Sequence, residues 1–333
     1  YEYGGDYPYS PQYPVGQHGA DLEYEPSRKA WVFRKIYRGD IWRVHQHSPL
    51  VEPGQQVQEN DLLLEIGGVP RDGSTSPGEL LVHQAGQAVQ LTVKTPGKKE
   101  SKRKIIVKTL IHEGKTRYRE WVKQNLKFVE AQSEGRVGYL HIPDMDTEGI
   151  AEFHRGFLSQ VDREGLIIDA RFNAGGWVSP LVLEKLTHRH LGYDVPRWGS
   201  PESYPYHTLR GHLVLITNQF TGSDGDMFTA SFKQLKLGKV IGKRTWGGVV
   251  GIDGRYQLVD GTTTTQPQYS IWFHHAGWSV ENYGVDPDLV VEDPPQSYSN
   301  GMDHQLKQAV EVIQKILEED PLPKIQDFKS NSR

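Results

Sequence analysis

The chain has 333 residues, 36% apolar and 24% charged, with a formal net charge of −4 and no cysteine. The length exceeds one ordinary domain and the composition suits a soluble globular chain. The acidic balance argues against a nucleic-acid surface. No apolar window approaches the length of a membrane span, and disulfides and thiolate zinc sites are excluded.

The opening, "YEYGGDYPYSPQYPVGQHGAD", is polar and aromatic, with no initiator Met and no signal-peptide pattern. It reads as cut from something longer, and residues 1–27 read as an extended connector. A strand is expected from Ala30, in "AWVFRKIY", and a short buried one over Leu62 to Ile66, stopped by Gly67 and Gly68. Ser76-Pro77 opens a short helix ending near Gly86. "AVQLTV" alternates, with Val89, Leu91 and Val93 on one face. The basic run "KKESKRK" from Lys98 reads as a solvated hairpin tip.

From Tyr118 a helix leads into alternating strands and helices. "VGYLHI", "GLIIDAR", "HLVLIT" and "KVIG" read as strands. "DTEGIAEFHRGFLSQV", "SPLVLEKLTHRHL", "DMFTASFKQLKL" and "DHQLKQAVEVIQKILEE" read as helices. The first of these helices carries Ile150, Phe153, Phe157, Leu158 and Val161 on one stripe. Such alternation predicts α/β layers with strands buried between helices. The tail from Pro321 reads as loosely ordered.

In α/β layers, reactive groups gather at strand C-terminal ends, where helix N-termini offer free N–H groups. Two stretches stand there: "DARFNAGGWVSP" and "TNQFTGSDGDMF". Ser223, between glycines, is a candidate nucleophile. The N–H groups of Asp224 and Gly176 are candidate oxyanion donors. A serine ahead of Asp-Gly-Asp is equally an ordinary helix N-cap, and "NAGG" an ordinary tight turn. His45 with His47, or His188 with His190, has spacing open to metal ligation, but no third partner shows a recognisable spacing, and surface histidines are the default. His274 or His275, near Glu281 in sequence, is an alternative candidate base that Glu281 could orient. They lie in a strand-like run, so at most one could face a site.

"SPLVEPGQQVQENDLLLEIGGV" resembles the PDZ signature, over about residues 28–110. The resemblance implies a groove for peptide ends. The order PDZ-like domain, "DARFNAGG", "SDGD", "GKRTWGG" resembles the C-terminal processing proteases and the tricorn proteases. Both imply a crotonase-type α/β core preceded by a small β-rich domain. In the processing proteases a lysine roughly 25 residues beyond the serine is the base. Here Gly248 fills that place. "ENYGVDPD" and the opening "YEYGGDY" resemble the tricorn branch.

That resemblance implies Ser223 as nucleophile, Gly176 and Asp224 as oxyanion donors, and Glu281 as the carboxylate of the charge-relay group. It places Asp194 at a position favouring basic P1 side chains. It further implies a base histidine upstream of Tyr1, with His18 too far along to serve. The chain alone is then expected to be inactive or very weak. The expected organisation is a connector over 1–27, a PDZ-like domain over 28–110, an α/β protease core over 111–320 and a loose tail over 321–333. Peptide substrates, no cofactor or metal, no nucleic acid or membrane partner, a homo-oligomer (a hexamer by resemblance) and a cytoplasmic setting complete the reading. A catalytically silent peptide-binding protein and a crotonase-fold acyl hydrolase are the alternatives.

Overall fold

The structure, a computed structural model, describes residues 1–6, 12–40, 43, 46–70, 73, 75–97, 102–323 and 325, with Tyr298 described through its backbone alone. His45, the start of the basic run at Lys98 and most of the tail after Pro321 lie outside the described residues. Two units emerge: Pro8–Gln124, and Asn125–Arg333 together with Tyr1–Tyr7.

The Pro8–Gln124 unit is an antiparallel sheet in the order Ala20–Glu25, Ala30–Ile36, Leu62–Ile66, Ala88–Lys94, Lys102–Lys108. A two-residue strand, Val69–Pro70, folds back on Leu62–Ile66. The last strand shows why it is half-buried: Ile105 and Val107 point inward while lysines alternate outward. Phe33, Leu50, Leu63, Leu91 and Val93 fill the core beneath.

The expected connector over 1–27 needs correction. Its last part, Ala20–Glu25, is a strand, and its first part, Glu2–Gly4, pairs with Thr262–Thr264 within one unit. "ADLEYE" has no apolar alternation because it lies at a sheet edge, where no residue is fully buried. Cross-strand pairs hold it instead. Arg34 binds Glu23 at 2.7 Å and Glu25 at 3.1 Å, and the Tyr24 and Trp31 rings lie 5.7 Å apart. The helix expected after Ser76 is one short 3₁₀ stretch, Pro77–Leu81. A capping box starts it: Glu79 accepts the Ser76 N–H at 3.0 Å and Ser76 Oγ accepts the Gly78 N–H at 3.1 Å.

The second unit is built on a parallel sheet in the order Leu289–Val290, Gly238–Gly242, His212–Thr217, Gly165–Asp169, Val137–His141. The Val137–His141 and Gly165–Asp169 strands are buried at every residue, which explains their continuous rather than alternating apolar runs. Thr147–Leu158 packs on the Val137–His141 strand, and His304–Glu319 packs across three central strands. Phe153, Phe157, Phe228 and Phe232 are buried among Leu140, Ile168 and Leu215. Leu158, placed on the buried stripe by periodicity, is exposed. The helix from Ser179 stops at Thr187, and Gly192–Asp194 begins a hairpin with Glu202–Tyr204.

One buried ion-pair network ties the last helix to the sheet. Arg171 donates to Asp169 and to Asp303, the N-cap of His304–Glu319. Burial pushes the Asp169 carboxyl up, but the Arg171 guanidinium beside it outweighs that and holds it below the ordinary value. Among the described residues, no helix is long and apolar enough to cross a membrane.

Candidate active site

The strands Gly165–Asp169 and His212–Thr217 are parallel neighbours, so the loops after them emerge side by side. Hydrogen bonds sew these loops together. Thr221 Oγ1 donates to Ala170 O at 2.8 Å, and Gly222 N–H donates to Asn173 O at 3.0 Å. Asn173, fully buried, is the centre of the first loop: its Nδ2 donates to Ile142 O and its Oδ1 accepts the Gly175 N–H, both at 2.9 Å.

Ser223 sits on the second loop, immediately before the helix Asp224–Gln234. Its backbone is at φ 55°, ψ −118°, a region that non-glycine residues rarely occupy. An ordinary N-cap serine has extended backbone and accepts a helix N–H through Oγ. Ser223 does neither. Its hydroxyl lines a cleft of ≈ 550 Å³, shared with Asn173, Phe220, Trp246, Gly248, Ile252 and Glu281, and with Tyr1 at one edge.

Helix N-termini carry positive partial charge, which suits a developing oxyanion. Asp224, the first helical residue, does not turn its carboxylate into that field. Its side chain accepts the Ser179 N–H at 2.9 Å and the Ser179 hydroxyl. Burial raises its pKa, and the Ser179 bonds only partly offset this. On the other loop, the glycine nearest the serine is Gly175: a Cβ there would lie 2.5 Å from Ser223 Cβ and 3.1 Å from its Oγ. Gly176, at φ 148°, is pressed instead against Met145, whose carbonyl oxygen would be 2.0 Å from an added Cβ. Neither Gly176 nor Asp224 is among the residues lining the cleft.

A strap of residues 245–250 closes one side. Trp246 N–H donates to Thr221 O at 2.9 Å, which fixes the strap to the serine loop. At its far end, the N–H groups of Val249 and Val250 donate to Glu281 Oε2 at 2.7 and 2.8 Å. Glu281 is thereby held at the cleft by one oxygen. Gly248 also has a reason to be glycine. A Cβ there would fall 2.2 Å from the Trp246 ring, so the indole occupies the space a lysine stem would need.

The remaining candidates lie elsewhere. Among the described residues, no histidine or lysine lines the cleft. His275 Nδ1 is 2.7 Å from Gln234 Oε1, and His274 packs edge-on against Trp272. Their segment is a turn, with Phe273 bridged to Gly277, not the strand expected. Lys243 pairs with Glu292 at 2.7 Å and Arg244 with Asp286 at 2.7 Å. His18 is buried in the Pro8–Gln124 unit. Asp194 lines a separate ≈ 420 Å³ cavity with Val195, Pro196, Trp198, Glu202 and Tyr206, and is not part of the Ser223 cleft. Among the described residues, no group of three or more His, Asp or Glu side chains is placed to hold a metal ion. The residues that sequence reasoning missed are Asn173, Gly175, Ser179 and the strap. Of these, the "NAGG" turn signal pointed at the first loop and the missing lysine at Gly248 pointed at the strap.

Residues 136–291 match the model of peptidase family S41, and residues 16–112 match the tricorn protease PDZ domain. The chain therefore belongs to the tricorn branch of peptidase family S41. It is similar to the tricorn protease of Thermoplasma volcanium, with 44% identity over 96% of this chain and 30% of that protein. It is similar to tricorn protease homolog 1 of Streptomyces coelicolor, with 45% identity over 91% of this chain and 28% of that one. The crystal structure of the tricorn protease superposes with a TM-score of 0.90 at 39% identity, over 96% of this chain and 31% of that chain. The chain thus spans less than a third of the length of these relatives.

Proposed function

We propose that the chain carries the nucleophile and oxyanion site of a serine peptidase acting on short peptides. The observation that carries this is Ser223: strained, unspent on helix capping, and facing a cleft shared with Glu281. Ser223 Oγ attacks the scissile carbonyl carbon and its proton passes to an imidazole. The resulting oxyanion is met by the N–H groups of Asp224 and Gly176. Collapse expels the amine, which takes the proton from the imidazolium, and water then releases the acyl group by the reverse sequence.

The imidazole comes from upstream of residue 1. Tyr1 lines the same cleft as Ser223 and Glu281, and Glu2–Gly4 is paired with Thr262–Thr264, which supports a base carried by a preceding residue of the full-length protein. Glu281, anchored through Oε2, orients that ring through its other oxygen. The core is of the crotonase type. Preference for a basic P1 side chain through Asp194, a homo-oligomeric (hexameric) assembly and a cytoplasmic setting rest on the family resemblance alone.

The test is active-site labelling. A fluorophosphonate probe labels Ser223 in the full-length protein, and Ser223→Ala abolishes labelling. Chain lacking the upstream segment labels about 10⁴-fold more slowly, the usual scale for losing a triad member. Labelling at a different serine refutes the assignment.

A further inference from the structure

Asp226 has no part in the site as described so far, yet it lies directly beneath it. It is the third helical residue after Ser223, with no exposed surface. Its Oδ1 accepts the Gly247 N–H at 2.9 Å, across a gap of 21 residues. Its Oδ2 is buried and makes no hydrogen bond of ordinary geometry, although the Thr245 hydroxyl and the Ser223 and Gly248 N–H groups lie near the carboxylate. A buried carboxylate oxygen left so is costly, and a fold retains it only for a return elsewhere.

The return is visible in the strap. Gly247 is the strap's pivot, at φ 89°, with the Asn282 N–H donating to its carbonyl at 2.7 Å. Thr245, one residue before Trp246, is exchanged with Val285 through two bonds, 3.1 and 2.8 Å. The strap then passes Trp246 and Gly248 along the cleft and ends on Glu281. A shift at Gly247 therefore moves a cleft wall and the carboxylate together.

We infer that Asp226 is a positioning residue: its carboxylate fixes the Thr245–Val250 strap under the Ser223 turn and so aims Glu281. This rests on the peptidase reading of the same site. The carboxylate form is required, because the groups around it are donors. Burial pushes its pKa up to about 6, while the Thr245 hydroxyl and the N–H groups of Gly247, Ser223 and Gly248 pull the other way. The ionisable groups on the elements packed around it are engaged elsewhere. On its own helix, Asp224 holds Ser179 and Lys233 pairs with Asp288. Beside the strap, Lys243 pairs with Glu292 and Arg244 with Asp286. On the turn beyond, Tyr283 donates to Asp286, and Glu281 holds the strap amides. No cation among the described residues pairs with Asp226.

The test is Asp226→Asn in the full-length protein, an isosteric change that sets an amide donor against those N–H groups. Three readouts are compared with wild type: kcat/KM for a short peptide against pH, amide hydrogen exchange of Gly247–Val250, and Tm at pH 8. The expected result is a loss of about 10- to 100-fold in kcat/KM, the scale of a small misplacement at a reacting centre. The acid limb that Asp226 adds near pH 6 disappears, strap exchange quickens, and Tm at pH 8 changes little, because removal of a buried charge offsets the amide set against the surrounding donors. A merely structural residue would lower Tm and activity together, and that outcome overturns the proposal. So does strap exchange identical to wild type. Wild type gives a second, mutation-free measurement: strap exchange, corrected for intrinsic rate, quickens as pH falls through about 6. If Ser223 proves unreactive in the full-length protein, the peptidase reading fails, while the exchange data still decide what Asp226 does to the strap.

Discussion

Gly175→Ala is expected to damage the serine site through one methyl group. Two costs are separable. At φ 81° an L side chain is strained, at about 1–2 kcal/mol. The new Cβ would also lie 2.5 Å from Ser223 Cβ and 3.0 Å from Gly222 O, both on a loop locked by its own hydrogen bonds. Overpacking of that kind costs about 1–3 kcal/mol more. Gly261 supplies the control. It has the same φ of 81°, but an added Cβ meets nothing within 4 Å. Gly261→Ala carries the conformational cost alone. Between the two variants, Tm should differ by roughly 2–12 °C for a unit of this size. Fluorophosphonate labelling of Ser223 should slow by about 10- to 100-fold in Gly175→Ala and stay unchanged in Gly261→Ala. Equal Tm and equal labelling in the two would refute the claim that Gly175 exists to let the two loops touch.

Two further predictions concern stability. His18 is fully buried, its Nε2 has no partner, and burial lowers its pKa from 6.5 to about 4. The unfolded chain therefore takes up a proton before the folded one, so stability falls as pH drops from about 6.5 to about 4, by about 3 kcal/mol in all. Urea midpoints at pH 7 and pH 4.5 should converge in His18→Leu relative to wild type, and an unchanged gap would refute it. Arg171→Met strips the partner from Asp169, which has no exposed surface, and should cost about 3–5 kcal/mol. Adding Asp169→Asn should recover part of that loss in thermal unfolding, and strict additivity of the two losses would rule out the coupling.

Much of the second unit was legible because its strands are continuous apolar runs and its helices carry 3.6-residue stripes. Helix ends were read too long at Leu158 and after Thr187, since periodicity alone gives no stop where capping is weak. The edge strand Ala20–Glu25 was invisible for the opposite reason: it buries little, and its stabilising partners, Arg34 and Trp31, lie across a turn. The Ser223 turn announced itself through flanking glycines at a strand-to-helix junction. The strap did not. Its defining bonds join residues 21 and 32 positions apart, Asp226 to Gly247 and Val249 to Glu281, and no local pattern encodes them. The family resemblance marked Gly248 as a missing lysine, but the positive reason for glycine there, the Trp246 ring, is a tertiary fact.

The serine's local sequence left open whether it caps a helix or attacks a substrate, and conformational cost argues against the cap. A capping serine gains about 1 kcal/mol by giving Oγ to the helix and sits in unstrained extended backbone. Ser223 gives up that bond and holds φ 55°, ψ −118°, a strain of order 1–3 kcal/mol. Local interactions alone would relax such a residue into the cap. It is held because its surroundings leave no room to relax. Gly222 N–H is bound to Asn173 O, Gly175 lies against the serine's Cβ, and Asp226, three residues on, accepts the Gly247 N–H. The neighbouring Asn173–Gly175 loop and the serine's own helix thus work against the local optimum, and their common effect is to keep the hydroxyl out of the helix cap and at a cleft. Strain maintained in this way has no value to a helix cap, and the proposal of Ser223 as the reacting group rests on it.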